Sequence, residues 1–415
     1  MIKKLKNTRH FVYKLNSYVH LRLNLNNMHA PSLKDQFLLN DQVTFLNFGS
    51  FGATPRPVFE KYQAYQLEME RDPVQFITNR GQTYLKQSRT ALSSFINCDA
   101  DDIVMVTNPS YAVNTIAKSL NLNADDEILS TDLEYGACDR TWNFVCKYNG
   151  AKYIRQKISL PLKDADTFVE ELFKGVSTKT KLIFISHITS TTALILPVEA
   201  VAKKAKQLGI PVFIDGAHVP GHIPLDIKQL DVEYYTGACH KWMMTPKGSS
   251  FMYVKKSLQP NTFPLVVSWG YEAMFPSNSH YQDWHTMNGT RDYTAFLCVP
   301  ESIQFMEDYD WKSVATNSRY MVKENAHQFA EALGSSLLSP LTDQFIGQML
   351  AVEIKTSDPE KLYRTLYDNY HIEIPVMRHD DKVFMRYSIN GFNSQQDLEN
   401  LFMAIKDIKN NSTLL

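Results

Sequence analysis

The stretch Val212-Phe213-Ile214-Asp215-Gly216-Ala217-His218 sets three apolar residues in a row and ends them on a carboxylate followed by glycine. A run that short, bounded by a turn residue, reads as a buried strand. The same pattern recurs at 103–107, 127–130, 182–186 (Leu-Ile-Phe-Ile-Ser) and 251–254. Between these runs lie helix-length segments at 110–120, 139–148 and 198–208. In the last of these Val198, Val201, Ala205 and Leu208 share one face and lysines occupy the other. Apolar strands alternating with amphipathic helices predict βαβ units and a mostly parallel sheet covered on both sides. Such α/β sheets bind ligands outside the carboxyl ends of their strands, which makes Asp215 the first residue to examine.

The bulk numbers bound the rest. With 415 residues, 44% hydrophobic and 21% charged, the chain can bury one large core and a smaller second one. A formal net charge of -1 gives no electrostatic case for nucleic acid or an anionic membrane as main partner. Cys98, Cys138, Cys146, Cys239 and Cys298 show no metal-ligand spacing, so no metal site is expected. They read as reduced thiols of a cytoplasmic protein. No apolar run is long enough to span a bilayer. Residues 1–27 carry only basic charges and no apolar signal core, and read as a dispensable extension.

The texture changes towards the end. Residues 349–354 and 382–388 alternate as half-buried strands do; 359–370 and 394–409 have helical spacing, with Ser394 and Asp397 spaced as a capping box. The expected division is a segment at 28–60 that packs on the small domain, a large domain at 61–300 and a small α+β domain at 301–415.

Chemistry enters with Cys239-His240-Lys241-Trp242. A lysine held among apolar neighbours has a depressed pKa and becomes a nucleophile for carbonyls. The tetrapeptide alone also suits a surface lysine beside a turn. Asp215 at a strand end suits a partner for a pyridinium nitrogen, but also a helix cap or a metal or ribose ligand. Lys241 follows Asp215 by 26 residues, with one helix-like and one strand-like segment (231–236) between them. That spacing puts both at the ends of nearby strands, and they are the two contacts that pyridoxal 5'-phosphate (PLP) chemistry most needs.

A set of short motifs in fixed order then carries a resemblance. They are 46–52 (Leu-Asn-Phe-Gly-Ser-Phe-Gly), 107–110 (Thr-Asn-Pro-Ser), 134–137 (Glu-Tyr-Gly-Ala) and 186–190 (Ser-His-Ile-Thr-Ser). They continue with 215–221 (Asp-Gly-Ala-His-Val-Pro-Gly), 240–242 (His-Lys-Trp), 289–292 (Gly-Thr-Arg-Asp) and 386–388 (Arg-Tyr-Ser). The chain resembles the class V aminotransferase family of fold-type I PLP enzymes, most nearly its isopenicillin N epimerase-like subgroup. The resemblance implies the aspartate aminotransferase-like fold: an α/β large domain with a mostly parallel seven-stranded sheet between helices, and a smaller α+β C-terminal domain.

The resemblance also implies roles. Lys241 carries PLP as a Schiff base and moves the α-proton. Asp215 pairs with the pyridine nitrogen, and Tyr135 stacks on the ring. His218 and Ser190 lie on the O3′ side. The phosphate sits at the helix start near Ser110, with the Ser110 hydroxyl and the Tyr111 N–H as donors. His240 adds to that site, and Thr290 reaches the phosphate of the other subunit in a homodimer. Arg386 grips the substrate α-carboxylate with its planar fork, and Asn47 belongs to the same pocket. The chain departs from its relatives at Phe48, where many have His, at Pro109, which lacks an amide donor, and at Ala238, where desulfurases have a phosphate-binding Ser.

These residues serve several reactions alike. Epimerisation or transamination at the α-carbon of an amino acid is the leading expectation, and C–S or β-eliminating lysis the alternative. Cys298, the one cysteine between Lys241 and Arg386, lies in an apolar run and reads as a core thiol. That argues against a desulfurase with a persulfide-carrying cysteine. A PLP-binding regulator would call for an added DNA-binding unit or a missing lysine, and neither is found.

Overall fold

The computed structural model describes residues 32–415; the basic segment 1–27 lies outside the described residues. Twelve strands appear among them: β1 (Thr44–Phe45), β2 (Ile103–Val106), β3 (Glu127–Thr131), β4 (Lys152–Gln156), β5 (Thr180–Ser186), β6 (Val212–Gly216), β7 (Tyr234–Ala238), β8 (Ser250–Val254), β9 (Met349–Ile354), β10 (Ile372–Glu373), β11 (Val376–His379) and β12 (Lys382–Ser388). Seven of them form the main sheet in the order β2-β8-β7-β6-β5-β3-β4. Every neighbouring pair is parallel except the two that involve β8. The fold is therefore α/β with a mostly parallel sheet, as the alternation of runs predicts, and the sheet has the seven strands that the resemblance implies.

The physical reason is visible in the core. Alternate side chains of each strand enter two separate apolar clusters. Ile183, Ile185 and Ile214 belong to one, and Leu182, Phe184 and Phe213 to the other. The helices Pro109–Ser119 and Gly136–Asn149 cover the second cluster through Val113, Ile116, Trp142 and Val145. The helices Gly81–Phe95 and Val198–Gln207 cover the first through Leu85, Leu92, Val201 and Ala205. A strand buried on both sides has no polar face to alternate with, so it reads as an unbroken apolar run.

A second sheet, β11-β12-β9, is antiparallel. The helices Trp311–Ala332, Pro359–Tyr370 and Gln395–Asn411 accompany it. The last opens on the expected capping box of Ser394 and Asp397. Near the start of the described chain, β1 pairs in parallel with β10. Phe37 packs edge-on against Phe305 and Phe392.

Some boundaries differ from the sequence reading. The strand expected at 231–236 begins at Tyr234, because Asp231 takes a left-handed conformation (φ 46°) that ends the short helix Ile227–Leu230. The helix expected from 139 begins at Gly136, with Tyr135 at its N-cap. β4, a partly exposed edge strand, had no clear apolar pattern.

Topology sets the site. Six of the seven strands run the same way, and the turns after β2, β3, β5, β6 and β7 gather at one edge. The loop 239–249 lies at the same edge, where it joins the end of β7 to the start of the reversed β8. Ser186, Asp215 and Thr236 stand in register across β5, β6 and β7.

Candidate active site

A cavity of about 280 Å³ opens at that edge, lined among others by Ser110, Tyr135, Ser190, Asp215, His218, His240 and Lys241. Seven of the residues singled out in the sequence thus meet in one hollow, although they span positions 110 to 241.

Two glycines fix the lysine loop. Gly52 has φ 64°, and a Cβ there would meet the His240 carbonyl at 2.4 Å and the Lys241 carbonyl at 2.7 Å. Gly221, with φ 84°, lies equally close to the Trp242 carbonyl, at 2.3 Å. Backbone approaching backbone this closely leaves room only for glycine. Lys247 adds a bond from Nζ to the Gly52 carbonyl at 3.2 Å. The loop is clamped from both sides, and Lys241 is aimed into the cavity.

Lys241 Nζ lies 3.2 Å from His218 Nε2. Trp242 Nε1–H donates to His218 Nδ1 at 3.3 Å. An imidazole that accepts at Nδ1 carries its proton on Nε2, so the bond to Lys241 is made when the amine is neutral and accepts. The electrostatics agree. Burial, and then the nearby Arg386 guanidinium, push the Lys241 pKa down to about 8. Burial, with Lys241 and Arg386 adding to it, holds the His218 pKa well below the ordinary imidazole value. The depressed pKa brings the neutral, nucleophilic amine within reach at a lower pH than an ordinary lysine needs, and the neutral imidazole beside it adds no opposing charge.

Asp215 is 3% exposed. One carboxylate oxygen accepts from the Ala217 N–H at 3.0 Å; the other faces the Cys138 thiol at 3.5 Å. Burial raises its pKa, offset in part by the Ala217 bond and by Lys241. A buried carboxylate with so weak a donor on one oxygen has capacity for a cationic N–H partner. That meets the requirement of a protonated pyridine nitrogen.

Arg386 is the converse case. It is 1% exposed on β12, yet no carboxylate pairs with it among the described residues. Nη1 donates to the Ser190 carbonyl, Nη2 to Ser50 Oγ at 3.3 Å, and Nε has no partner. A buried guanidinium held only by neutral acceptors is ready for an anion.

At the far end of the cavity the helix Pro109–Ser119 presents its N-terminus, an anion-binding feature by geometry and dipole. Ser110 lines the cavity there. The Tyr111 N–H, expected as a phosphate donor, is instead spent on Asn108: it donates to Oδ1 at 2.9 Å and to the carbonyl at 3.1 Å. Asn108 was quoted in the sequence motif without a role; it is the N-cap, and it lines the cavity as well. An Asn-Pro-Ser stretch directly after a strand was the available signal. His240 Nδ1–H donates to the Ser249 carbonyl at 2.8 Å, which leaves the other ring nitrogen uncommitted by that bond.

Glu134 was also quoted without a role. It is 1% exposed and takes bonds from the Thr131 hydroxyl (2.7 Å), the Ser186 N–H (2.9 Å) and the Ser186 hydroxyl (2.5 Å). It locks the turn before Tyr135 onto the end of β5, and burial pushes its pKa up to about 8. Four expected residues do not line this cavity: Arg386 and Tyr111 adjoin it through their bonds to Ser190, Ser50 and Asn108, while Asn47 and Thr290 stand further off. Asn47 lines a neighbouring cavity and donates to Glu373 at 2.7 Å. Thr290 is exposed, two residues beyond Asn288, whose amide donates to Tyr111 Oη at 3.3 Å.

The aminotransferase class-V family model matches residues 50–401. The chain belongs to the class V aminotransferases. The family depends on PLP, and the Lys241, Asp215 and Ser110 geometry fits that cofactor. Isopenicillin N epimerase of Streptomyces clavuligerus is 29% identical over 383 residues, covering 90% of this chain and 96% of that protein. L-cysteine desulfhydrase of Arabidopsis thaliana is 24% identical over 405 residues, covering 88% of each. Among solved structures, the Escherichia coli cysteine desulfurase CsdA superposes with a TM-score of 0.76 at 18% identity, covering 92% and 98%. The cystine C–S lyase C-DES in complex with cysteine persulfide also gives 0.76, at 20% identity, covering 88% and 98%. At those identities the structural likeness is one of fold.

Proposed function

We propose that this class V enzyme acts at the α-carbon of an amino acid, as an epimerase or aminotransferase, with Lys241 as its central base. The observation that carries the reading is the placement, in one cavity, of a Lys241 amine with a depressed pKa and a buried Asp215 carboxylate, beside a buried Arg386 guanidinium that no carboxylate pairs with among the described residues. PLP, when bound, supplies an electron sink that lets the α-hydrogen leave as a proton. Lys241 Nζ would hold the cofactor and, once the substrate amine has displaced it, would be free to accept that proton. Asp215 keeps the pyridine nitrogen protonated, and Tyr135, at the cavity wall, stacks on the ring. His218 and Ser190 orient the O3′ side. Ser110, His240 and the helix N-terminus hold the phosphate; Tyr111 frames that end through its Oη contact with Asn288. Arg386 grips the substrate carboxylate through its two outer nitrogens. Asn47 acts one layer out, ordering Ser50, whose hydroxyl donates to it at 2.5 Å.

Thiol chemistry finds no support in the side chains. All five cysteines are buried, and burial raises the pKa of Cys98, Cys138, Cys146, Cys239 and Cys298. The thiolate is the reactive form. A C–S lyase without a catalytic cysteine is the second reading, favoured by the desulfhydrase relative.

We further infer a homodimer in which Thr290 reaches the partner's phosphate site. The preceding stretch 263–275 exposes Phe263, Val267, Trp269, Met274 and Phe275, apolar side chains of the kind that a partner subunit covers. The units are taken as 28–60, 61–300 and 301–415. The five unpaired cysteines favour a cytoplasmic location.

An amino-acid panel with the PLP-loaded enzyme tests the reaction. Conversion of the cofactor to its amine form means transamination; solvent deuterium at Cα with loss of chirality means epimerisation. Pyruvate with ammonia or sulfide means lysis and would overturn the leading reading.

A further inference from the structure

A second cavity, of about 640 Å³, adjoins the first. Phe45, Phe51, Tyr363, Tyr367, Asn47 and Glu373 supply most of its character. Phe51 lines both cavities, so it stands at their junction. A hydrogen-bonded chain crosses the same junction: Arg386 Nη2 to Ser50 Oγ (3.3 Å), Ser50 Oγ to Asn47 Oδ1 (2.5 Å) and Asn47 Nδ2 to Glu373 Oε1 (2.7 Å). Tyr363 Oη donates to the other Glu373 oxygen at 3.0 Å. Glu373 is thus fixed in orientation by two neutral donors and has no cationic partner among the described residues.

Size decides what this second cavity is for. Ligand pockets run from about 300 to 1,000 Å³. The first cavity, at about 280 Å³, is small for a cofactor and a bulky substrate together. An amino acid gripped by Arg386 must send a long side chain elsewhere, and the second cavity opens beside Ser50, which Arg386 contacts. We propose that the second cavity is the side-chain subsite, and that it selects amino acids with a long, largely apolar side chain bearing an N–H donor. The aromatic walls take the apolar stem and Glu373 accepts the N–H. The proposal rests on the reading of the first cavity as the PLP site, and it makes small substrates such as cysteine poor fits.

The test uses the PLP-loaded full chain and the shift of its visible absorption band on titration, a measure of binding and not of turnover. The ligands are alanine, norleucine and Nε-benzoyl-lysine. Affinity should rise at least about tenfold from alanine to the longest ligand, given the apolar surface each methylene buries. Tyr367→Ala, at a half-exposed position, and Val43→Trp, which fills the space, should each remove most of that gain. Glu373→Gln should lower affinity for Nε-benzoyl-lysine more than for norleucine. Equal affinities along the series, or a gain untouched by both cavity variants, would overturn the subsite while leaving the PLP reading intact. Failure of the wild type to develop any band with PLP would overturn both.

Discussion

At the residue scale the site is a problem of where protons sit. Trp242 fixes the tautomer of His218, and burial together with Arg386 depresses the Lys241 pKa to about 8. The neutral amine is the form that captures a carbonyl, and it grows in as pH rises through the pKa. The rate at which added PLP generates its lysine-bound band should therefore climb with a midpoint near pH 8, well below that of an ordinary lysine. Stopped-flow absorbance across pH 6–10 checks this; a midpoint near 10 would contradict it. Arg386→Lys keeps the charge and loses the fork. It should weaken amino-acid binding about tenfold to a hundredfold, as expected for losing a charge-assisted bidentate pair. An unchanged binding constant in a spectral titration would remove Arg386 from the carboxylate site.

At the element scale the helix start at Pro109 and the clamp on the lysine loop matter most. Asn108→Ala removes the cap that holds the Tyr111 N–H. It should cost about 1 kcal/mol of stability and weaken PLP retention, read by dialysis of the loaded enzyme. Gly52→Ala places a Cβ against the His240 and Lys241 carbonyls at a positive φ. The variant should melt several degrees lower and load PLP poorly; normal loading would show that the clamp is not what aims the lysine. These elements also show what the sequence could and could not reveal. Asp215, Lys241 and Ser110 were legible because each lies at or just beyond the carboxyl end of a buried strand, where an apolar run makes the polar residue stand out. Asn108 and Glu134 were visible as letters but not as roles, since a cap and a turn lock are defined by backbone N–H groups that sequence does not display. Tyr111 was assigned to the phosphate for the same reason: its amide partner, Asn108 Oδ1, depends on the cap geometry.

At the scale of the whole molecule, burial sets the acid limit. Burial lowers the pKa of His187 and His285 to about 4, and that of His222 to about 3. His222 is further committed, as its Nδ1 meets the His218 carbonyl and its Nε2 accepts the Gln348 N–H. Each imidazole is neutral in the folded chain and takes a proton on unfolding below about pH 6.5. Their contribution to stability is complete above that value and falls as pH drops towards 4. The melting temperature should decline steeply from pH 6.5 to 4.5, with several protons taken up on unfolding; a flat profile would contradict the buried neutral state. The seven-stranded sheet was legible because both its faces are covered, which leaves the strands uniformly apolar. β4 was not, because an exposed edge strand shares its polar composition with loops. The second cavity was not legible either, since it joins residues near 45 to residues near 370 through the pairing of β1 with β10.

The central claim is that Lys241 is the residue that holds the cofactor, and covalent trapping tests it most directly. The wild-type protein is incubated with PLP, reduced with borohydride, digested and mapped by mass spectrometry. The account predicts the phosphopyridoxyl mass on the peptide containing Lys241, and its disappearance in Lys241→Ala. The label on another lysine, or none on any peptide, would contradict it.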